Sequence, residues 1–237
     1  MICVAATGYE WIDLAQSRKQ SITVCNTPNF STDAVAEHAI GLLLTAIRLA
    51  SKAQVDIRKG TWDPLAYKGK ELKGKTLGII GYGTIGRRVA EIAKNGFNMN
   101  ILFVNSSSSR QDFEKLLHRS DVISINAPLT NKTRGMVGKK EFQLMKNGVV
   151  LVNTGRGAII DERALMDNLT SGKIFAAGLD VLSNEPMKKT DPLFAYPNVV
   201  ITPHIAFNTE ESEYRCSQIV TDNIKKFLGG HPQNVVS

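Results

Sequence analysis

Three glycines, Gly81, Gly83 and Gly86, stand in GxGxxG spacing directly after the apolar run "TLGII" and directly before a helix-like stretch. In that context the pattern suits a dinucleotide: the first glycine permits a tight turn, the second lets backbone approach a pyrophosphate, and the third allows close helix-to-strand packing. Thr84 and Ile85 open the helix, where free N–H groups and the positive dipole end face the phosphates. No GKS or GKT follows, so the turn is not a P-loop. A second set lies downstream: Arg156 follows "VVLVNTG", Asp180 ends "FAAGLD" and His204 follows "VVITP". Ligands of an open α/β sheet bind beyond the carboxyl ends of its strands, so all three are expected to face one crevice. Each has a plainer reading, Arg156 as a helix cap and His204 as a structural hydrogen-bonder. Jointly they offer a permanent, planar cation and an imidazole that exchanges a proton near neutrality.

The elements that must position these groups are legible. From Thr76 onward the runs "TLGII", "ILFV", "VISIN", "VVLVN", "FAAGLDV" and "VVIT" read as six strands. Between the first five lie helical patterns, "GRRVAEIAKNG", "QDFEKLLHR", "KKEFQLMKNG" and "DERALMDNLTSG", with Gly96, Gly148 and Gly172 placed as stops. Continuous apolar strands joined by crossover helices imply a parallel sheet covered on both faces. The expectation is an α/β, Rossmann-type doubly wound sheet over residues 30–208. Residues 1–29 (strand, helix, strand) and 209–237 (one helix) would form a partial second domain. Upstream, "STDAVAEHAIGLLLTAIRLASKAQVDI" opens with a capping signal and sustains helical periodicity. Its apolar content predicts a single helix over 33–57 that serves as the interface of a two-fold homodimer; the alternative is packing onto its own sheet.

Composition narrows the function classes. The 237 residues are 43% apolar, enough for one large domain or two modest ones. The charge of +7 comes from scattered Lys and Arg, without the basic block or interleaved aromatics of a nucleic-acid face, and suits anionic small molecules instead. Cys3, Cys25 and Cys216 are odd in number and widely spaced, which argues for reduced thiols in a cytoplasm. No metal-ligand spacing stands out. The longest apolar run, "AIGLLLTAI", is too short to span a bilayer, and no export signal opens the chain.

The segments "GYGTIG", "VNTGRGAIIDERAL", "AAGLDVLSNEP" and "VVITPHIA", in this order and spacing, resemble the NAD(P)-dependent D-2-hydroxyacid dehydrogenases, close to the glycerate/hydroxypyruvate/glyoxylate reductase branch. The resemblance extends over "ICVAATGYEWIDL" and "FSTDAVAEHAIGLLL", nearly the whole chain. It implies hydride transfer between a nicotinamide cofactor and a small D-2-hydroxy or 2-oxo acid. It places the acid/base on His204, a carboxylate partner on Glu185, and the substrate anchor on Arg156. Asp180 would sit by the nicotinamide carboxamide, and the backbone at Thr7 and Gly8 would receive the substrate carboxylate. The chemistry suits the residue types: reduction needs a proton for the developing alkoxide and a cation for the carboxylate and ketone.

Three departures from the family pattern matter. Family members carry a longer N-terminal region completing a flavodoxin-like substrate domain, of which this chain would hold a remnant, with one wall of the substrate cleft missing. Phe207 stands where the branch often has Trp. Asn105 ends the second strand where an acid usually binds the adenosine ribose and repels a 2′-phosphate. With Ser106 to Ser109 beside it and Arg110 or Arg87 in reach, NADP is expected to be accepted, even preferred, with NAD still usable; the alternative is a solvated serine loop with Arg110 in water. Competing readings are a non-catalytic dinucleotide-sensing regulator, phosphoglycerate dehydrogenase, and formate dehydrogenase, whose His is paired with an amide rather than a carboxylate such as Glu185.

Overall fold

The computed structural model describes residues 1–237. The chain divides into two compact units, Met1–Ala34 with Phe207–Ser237, and Val35–Ala206. In the first, β1 (Ile2–Cys3), α1 (Leu14–Lys19) and β2 (Val24–Cys25) follow in order, and β1 pairs with β2 in parallel. Asp13 caps α1 by accepting from the Gln16 N–H.

The second unit begins within α2 (Thr32–Ile47), followed by α3 (Ala50–Arg58). The expected single helix over 33–57 is therefore two: Leu49 adopts a left-handed conformation at φ 55°, and the helices meet at a 62° bend. The apolar content of α2 is also accounted for within its own unit, since Ala36, Ala39, Ile40, Leu42, Leu43, Ala46 and Ile47 are buried in one core cluster. In α3 no residue is buried. No single helix in the chain is long and apolar enough to cross a membrane.

Six parallel strands then alternate with helices: β3 (Thr76–Ile80), α4 (Thr84–Phe97), β4 (Asn100–Val104), α5 (Arg110–Arg119), β5 (Val122–Ile125), α6 (Lys139–Leu144), β6 (Val149–Asn153), α7 (Glu162–Thr170), β7 (Ile174–Leu179) and β8 (Val199–Ile201). The spatial order is β4-β3-β5-β6-β7-β8. The chain winds outward from β3 to β4, then crosses to β5 and continues the other way. The reversal between β3 and β5 is the switch point at which such sheets bind ligands. The central strands β5 and β6 are buried throughout, as strands covered on both faces must be. One core cluster holds Ile123, Ile125, Leu151 and Phe142, the other Leu77, Ile79, Val150 and Val152. Alternate residues of each strand thus feed opposite faces.

The last helix, α8 (Glu210–Leu228), belongs to the first unit. It starts on a Thr209 capping box, and its buried Asn223 donates to the Asn26 carbonyl at 2.9 Å. Arg215 Nε donates to the Phe30 carbonyl at 2.7 Å, which ties the segment before α2 to this unit.

Candidate functional site

At the switch point, Gly81 takes φ +94°, and a side chain there would strike the backbone at Asn126 and Ala127. Gly83, the N-cap of α4, is different: a Cβ would meet nothing within 4 Å, and no side chain caps the helix. The N-terminus of α4 at Thr84 and Ile85 therefore presents uncapped N–H groups beside an open approach, which suits a pyrophosphate. Gly86 packs its bare Cα against the Gly81 carbonyl, closing the helix onto the strand.

The rim beyond β6, β7 and β8 is laced by backbone bonds. Asp180 N–H donates to the Asn153 carbonyl at 3.0 Å, Thr202 N–H to Leu179 at 2.9 Å, and His204 N–H to Asp180 at 2.8 Å. Arg156, Asp180 and His204 thus follow three neighbouring strands at one end of the sheet, as expected. The Arg156 turn is held from inside by Asn153, which is fully buried: its amide donates to the Arg156 carbonyl at 3.0 Å and its Oδ1 accepts from Gly155 N–H at 3.0 Å. Gly157 lies so close to Leu182 and Ser183 that no side chain fits, which brings the Arg156 turn against the loop carrying Glu185. The Arg156 guanidinium, half-buried, donates to the Gly155 carbonyl at 2.8 Å; its side chain does not cap the following turn of 3-10 helix.

His204 sits at φ 54°, a left-handed conformation uncommon for a residue with a side chain. Its Nδ1 lies 2.8 Å from Glu185 Oε2, and Glu185 Oε1 accepts from Leu182 N–H at 2.8 Å. Both side chains are partly exposed, 42% and 37%, so an incoming molecule can reach the pair. A carboxylate on one ring nitrogen fixes the ring and leaves Nε2 as the nitrogen for proton exchange.

Asp180 is only 2% exposed, and its carboxylate faces the segment that carries His204. Oδ1 accepts from the Thr202 hydroxyl at 2.6 Å and from Ile205 N–H at 2.9 Å, and Oδ2 from Ala206 N–H at 2.9 Å. Oδ2 retains capacity for a further donor. Burial alone would raise the carboxyl pKa, but hydrogen bonds from His38, Thr202 and the Ala206 and Ile205 N–H groups outweigh it and hold the group below the usual carboxylate range. A depressed carboxylate stabilises the fold above its unfolded pKa of about 3.9 and loses that contribution as pH falls through the lower folded value. Asp180→Asn is accordingly expected to lower stability near neutral pH by about 1–3 kcal/mol. Urea unfolding should find that gap closing as the pH drops below about 4.

Asn105 is exposed at the end of β4, and its side-chain oxygen is already engaged. It accepts from Ser107 N–H at 3.0 Å and from the Ser107 and Ser108 hydroxyls at 2.7 and 3.3 Å. Because a backbone N–H must donate, these bonds fix the amide orientation and leave Nδ2, a pure donor, directed elsewhere. The serines therefore form a hydrogen-bonded turn at the surface, with Ser109 capping α5 and Ser106, Ser107 and Ser109 exposed. Arg110 is more than half exposed, and its Nε and Nη2 bind Glu114 and Glu141 at 2.7 and 2.9 Å. Arg87 lies over the Tyr82 ring at 5.9 Å. Asn105, Ser108, Arg110, Lys132 and Glu141 line a cleft of about 360 Å³. Thr7 and Gly8 lie in the first unit, where the Thr7 hydroxyl donates to the Thr27 carbonyl at 3.3 Å.

Sequence reading missed Asn153, His38 and Thr202, whose importance comes from partners far away in the chain. It also missed the Tyr82–Phe103 stack, with rings 3.8 Å apart, beside the glycine turn. The chain contains no group of three or more residues arranged to hold a metal.

Residues 40–206 match the family described as D-isomer specific 2-hydroxyacid dehydrogenase, NAD binding domain. The chain is 40% identical over 255 residues to a glyoxylate reductase of Aeropyrum pernix, covering 100% of this chain and 76% of that protein. It is 41% identical over 240 residues to a hydroxypyruvate reductase of Thermotoga maritima, covering 97% and 78%. Among solved structures, an acyclic imino acid reductase (Bsp5) in complex with NADPH and D-Arg superposes with a TM-score of 0.90 at 34% identity, covering 99% of this chain and 78% of that one.

Proposed function

The chain belongs to the D-isomer specific 2-hydroxyacid dehydrogenase family, and we propose that it interconverts a small 2-oxo acid of the glyoxylate and hydroxypyruvate class with its D-2-hydroxy acid. The observation that carries this reading is the His204–Glu185 pair on the same rim as Arg156, at the end of the sheet that holds the glycine turn. Bound nicotinamide supplies the hydride in reduction and accepts it in oxidation. Arg156 forks onto the substrate carboxylate and polarises the ketone, a task its planar donors suit better than an ammonium. His204 delivers the proton to the developing alkoxide from Nε2, while Glu185 holds the ring through Nδ1 and favours imidazolium. Turnover of glyoxylate and hydroxypyruvate with reduced cofactor tests the proposal; a protein that binds cofactor without turning over any small 2-oxo acid would fit a sensor instead.

NAD(H) suits the family to which the chain belongs, and we further propose that NADP(H) is accepted. An aspartate would accept bonds from the ribose hydroxyls and repel a 2′-phosphate. Asn105 removes that repulsion, and with its oxygen turned into the serine loop it offers only donors. Lys132 and the remaining N–H groups of Arg110 add donors to the same cleft, beside the Glu141 carboxylate that Arg110 pairs. The solved relative that holds NADPH supports the reading. Asn105→Asp should move the preference toward NAD by about 1–3 kcal/mol, read as the ratio of kcat/KM for the two cofactors. Strict NAD use by the unaltered protein would contradict it.

We also propose that the chain self-associates through α3 and the segment after it. Trp62 and Leu65 are 84% and 89% exposed, and Val55 and Ile57 about half exposed, a density of bare apolar groups that a second copy would cover. Light scattering is expected to give a dimer that Trp62→Ser with Leu65→Ser converts to monomer. A compartment that keeps thiols reduced, such as the cytoplasm, suits the three free cysteines.

A further inference from the structure

We infer that His38, on α2, is a positioning residue for His204, acting through Thr202 and Asp180. The inference rests on the reading of His204 as the proton donor. His38 Nε2 lies 3.0 Å from Thr202 Oγ1 and 3.4 Å from Asp180 Oδ1. Thr202 gives its single hydroxyl proton to Asp180 Oδ1 at 2.6 Å, so its oxygen must accept from His38. That assigns the proton of His38 to Nε2.

The result is a directed chain. His38 Nε2–H donates to Thr202, whose hydroxyl donates to Asp180. The same carboxylate receives the N–H groups of Ile205 and Ala206, one and two residues beyond His204. His204 itself donates its backbone N–H to the Asp180 carbonyl. The segment 202–206 is thus fixed at both ends around one buried carboxylate, and His38 is the outermost link, reaching in from a helix 164 residues away in sequence. The anchor is needed because His204 is held in a left-handed conformation, which is strained for a residue with a Cβ and persists only where neighbours over-determine it. Removing the imidazole leaves Thr202 free to turn its hydroxyl away from Asp180. The loop then relaxes, and the ring no longer meets Glu185 at 2.8 Å. Asn223, Asn26 and Cys3 form a comparable polar cluster in the other unit, but nothing there touches a group with work to do.

The test uses the full chain labelled with ¹⁵N-histidine, with three variants. His38→Ala and Thr202→Val break the chain; His38→Gln restores a donor near the position of Nε2. His38→Ala and Thr202→Val are expected to lose the hydrogen-bonded Nδ1–H signal of His204. They should also lower kcat by on the order of 10- to 100-fold, with KM for the cofactor unchanged. His38→Gln should keep both. A His204 signal that survives in His38→Ala overturns the inference, as does a His38→Gln protein as impaired as His38→Ala. Loss of the signal with kcat intact would uphold the anchor and contradict instead the proton-donor reading of His204.

Discussion

Replacing His204 by alanine is expected to lower kcat by about 10²–10⁴-fold, the usual loss when a positioned general acid is removed, while cofactor binding is retained. The separation follows from geometry. The imidazole belongs to the rim beyond β8, held by Glu185, while the His204 backbone N–H donates to the Asp180 carbonyl. The glycine turn proposed for the pyrophosphate belongs instead to β3 and α4, where the nearest neighbours of Gly81 and Gly86 are Asn126, Ala127 and Ile79. Glu185→Gln keeps the shape of the partner and removes its charge, so its effect should be smaller. In the double variant the two losses should not add, because Glu185 acts only through the ring that alanine has removed. Steady-state rates of the three proteins, with cofactor affinity measured by fluorescence titration, check both statements. Additive losses would mean that Glu185 works independently of His204.

The second large effect concerns Arg156. Arg156→Lys conserves charge, yet it is expected to cost about 1.5–3 kcal/mol in kcat/KM for the 2-oxo acid, the range for a hydrogen bond to a charged group. A lysine presents one compact ammonium in place of a planar fork and cannot hold carboxylate and ketone oxygens together. The turn itself should survive, because Asn153 grips the backbone of Gly155 and Arg156 rather than the guanidinium. Cofactor affinity and thermal unfolding are therefore expected to match the unaltered protein. A fall in cofactor affinity equal to the fall in kcat/KM would move Arg156 from the substrate to the nucleotide.

These expectations rest on features that differ in how openly the sequence displays them. The six strands were readable because each is a short, mostly apolar run, most plainly the central β5 and β6, which are buried on both faces, although β4 and β8 are only partly covered. Arg156 and His204 were readable because they follow such runs directly. The break at Leu49 was not: leucine carries no signal for a left-handed residue, and "AIRLASKAQVDI" keeps helical periodicity across it. His38 was hidden for another reason. It lies within an apolar helix, and its two partners stand beyond β7 and β8, so only the fold brings the three together. Glu185 was identified through family resemblance, since a glutamate in "LSNEP" has no distinguishing periodicity. At Asn105 the residue type showed that an acid was missing, and the hydrogen bonds of the serine turn added which end of the amide faces outward.

Reduced cofactor carrying deuterium at C4 of the nicotinamide, labelled on each face in separate experiments, tests the central claim most directly when supplied with hydroxypyruvate. With one of the two labels, the product is expected to be D-glycerate bearing a single deuterium at C2, formed by the unaltered chain and about 10²–10⁴-fold more slowly by His204→Ala. Cofactor that is not consumed, or a glycerate whose C2 hydrogen comes from solvent with both labels, would contradict direct hydride transfer at this site.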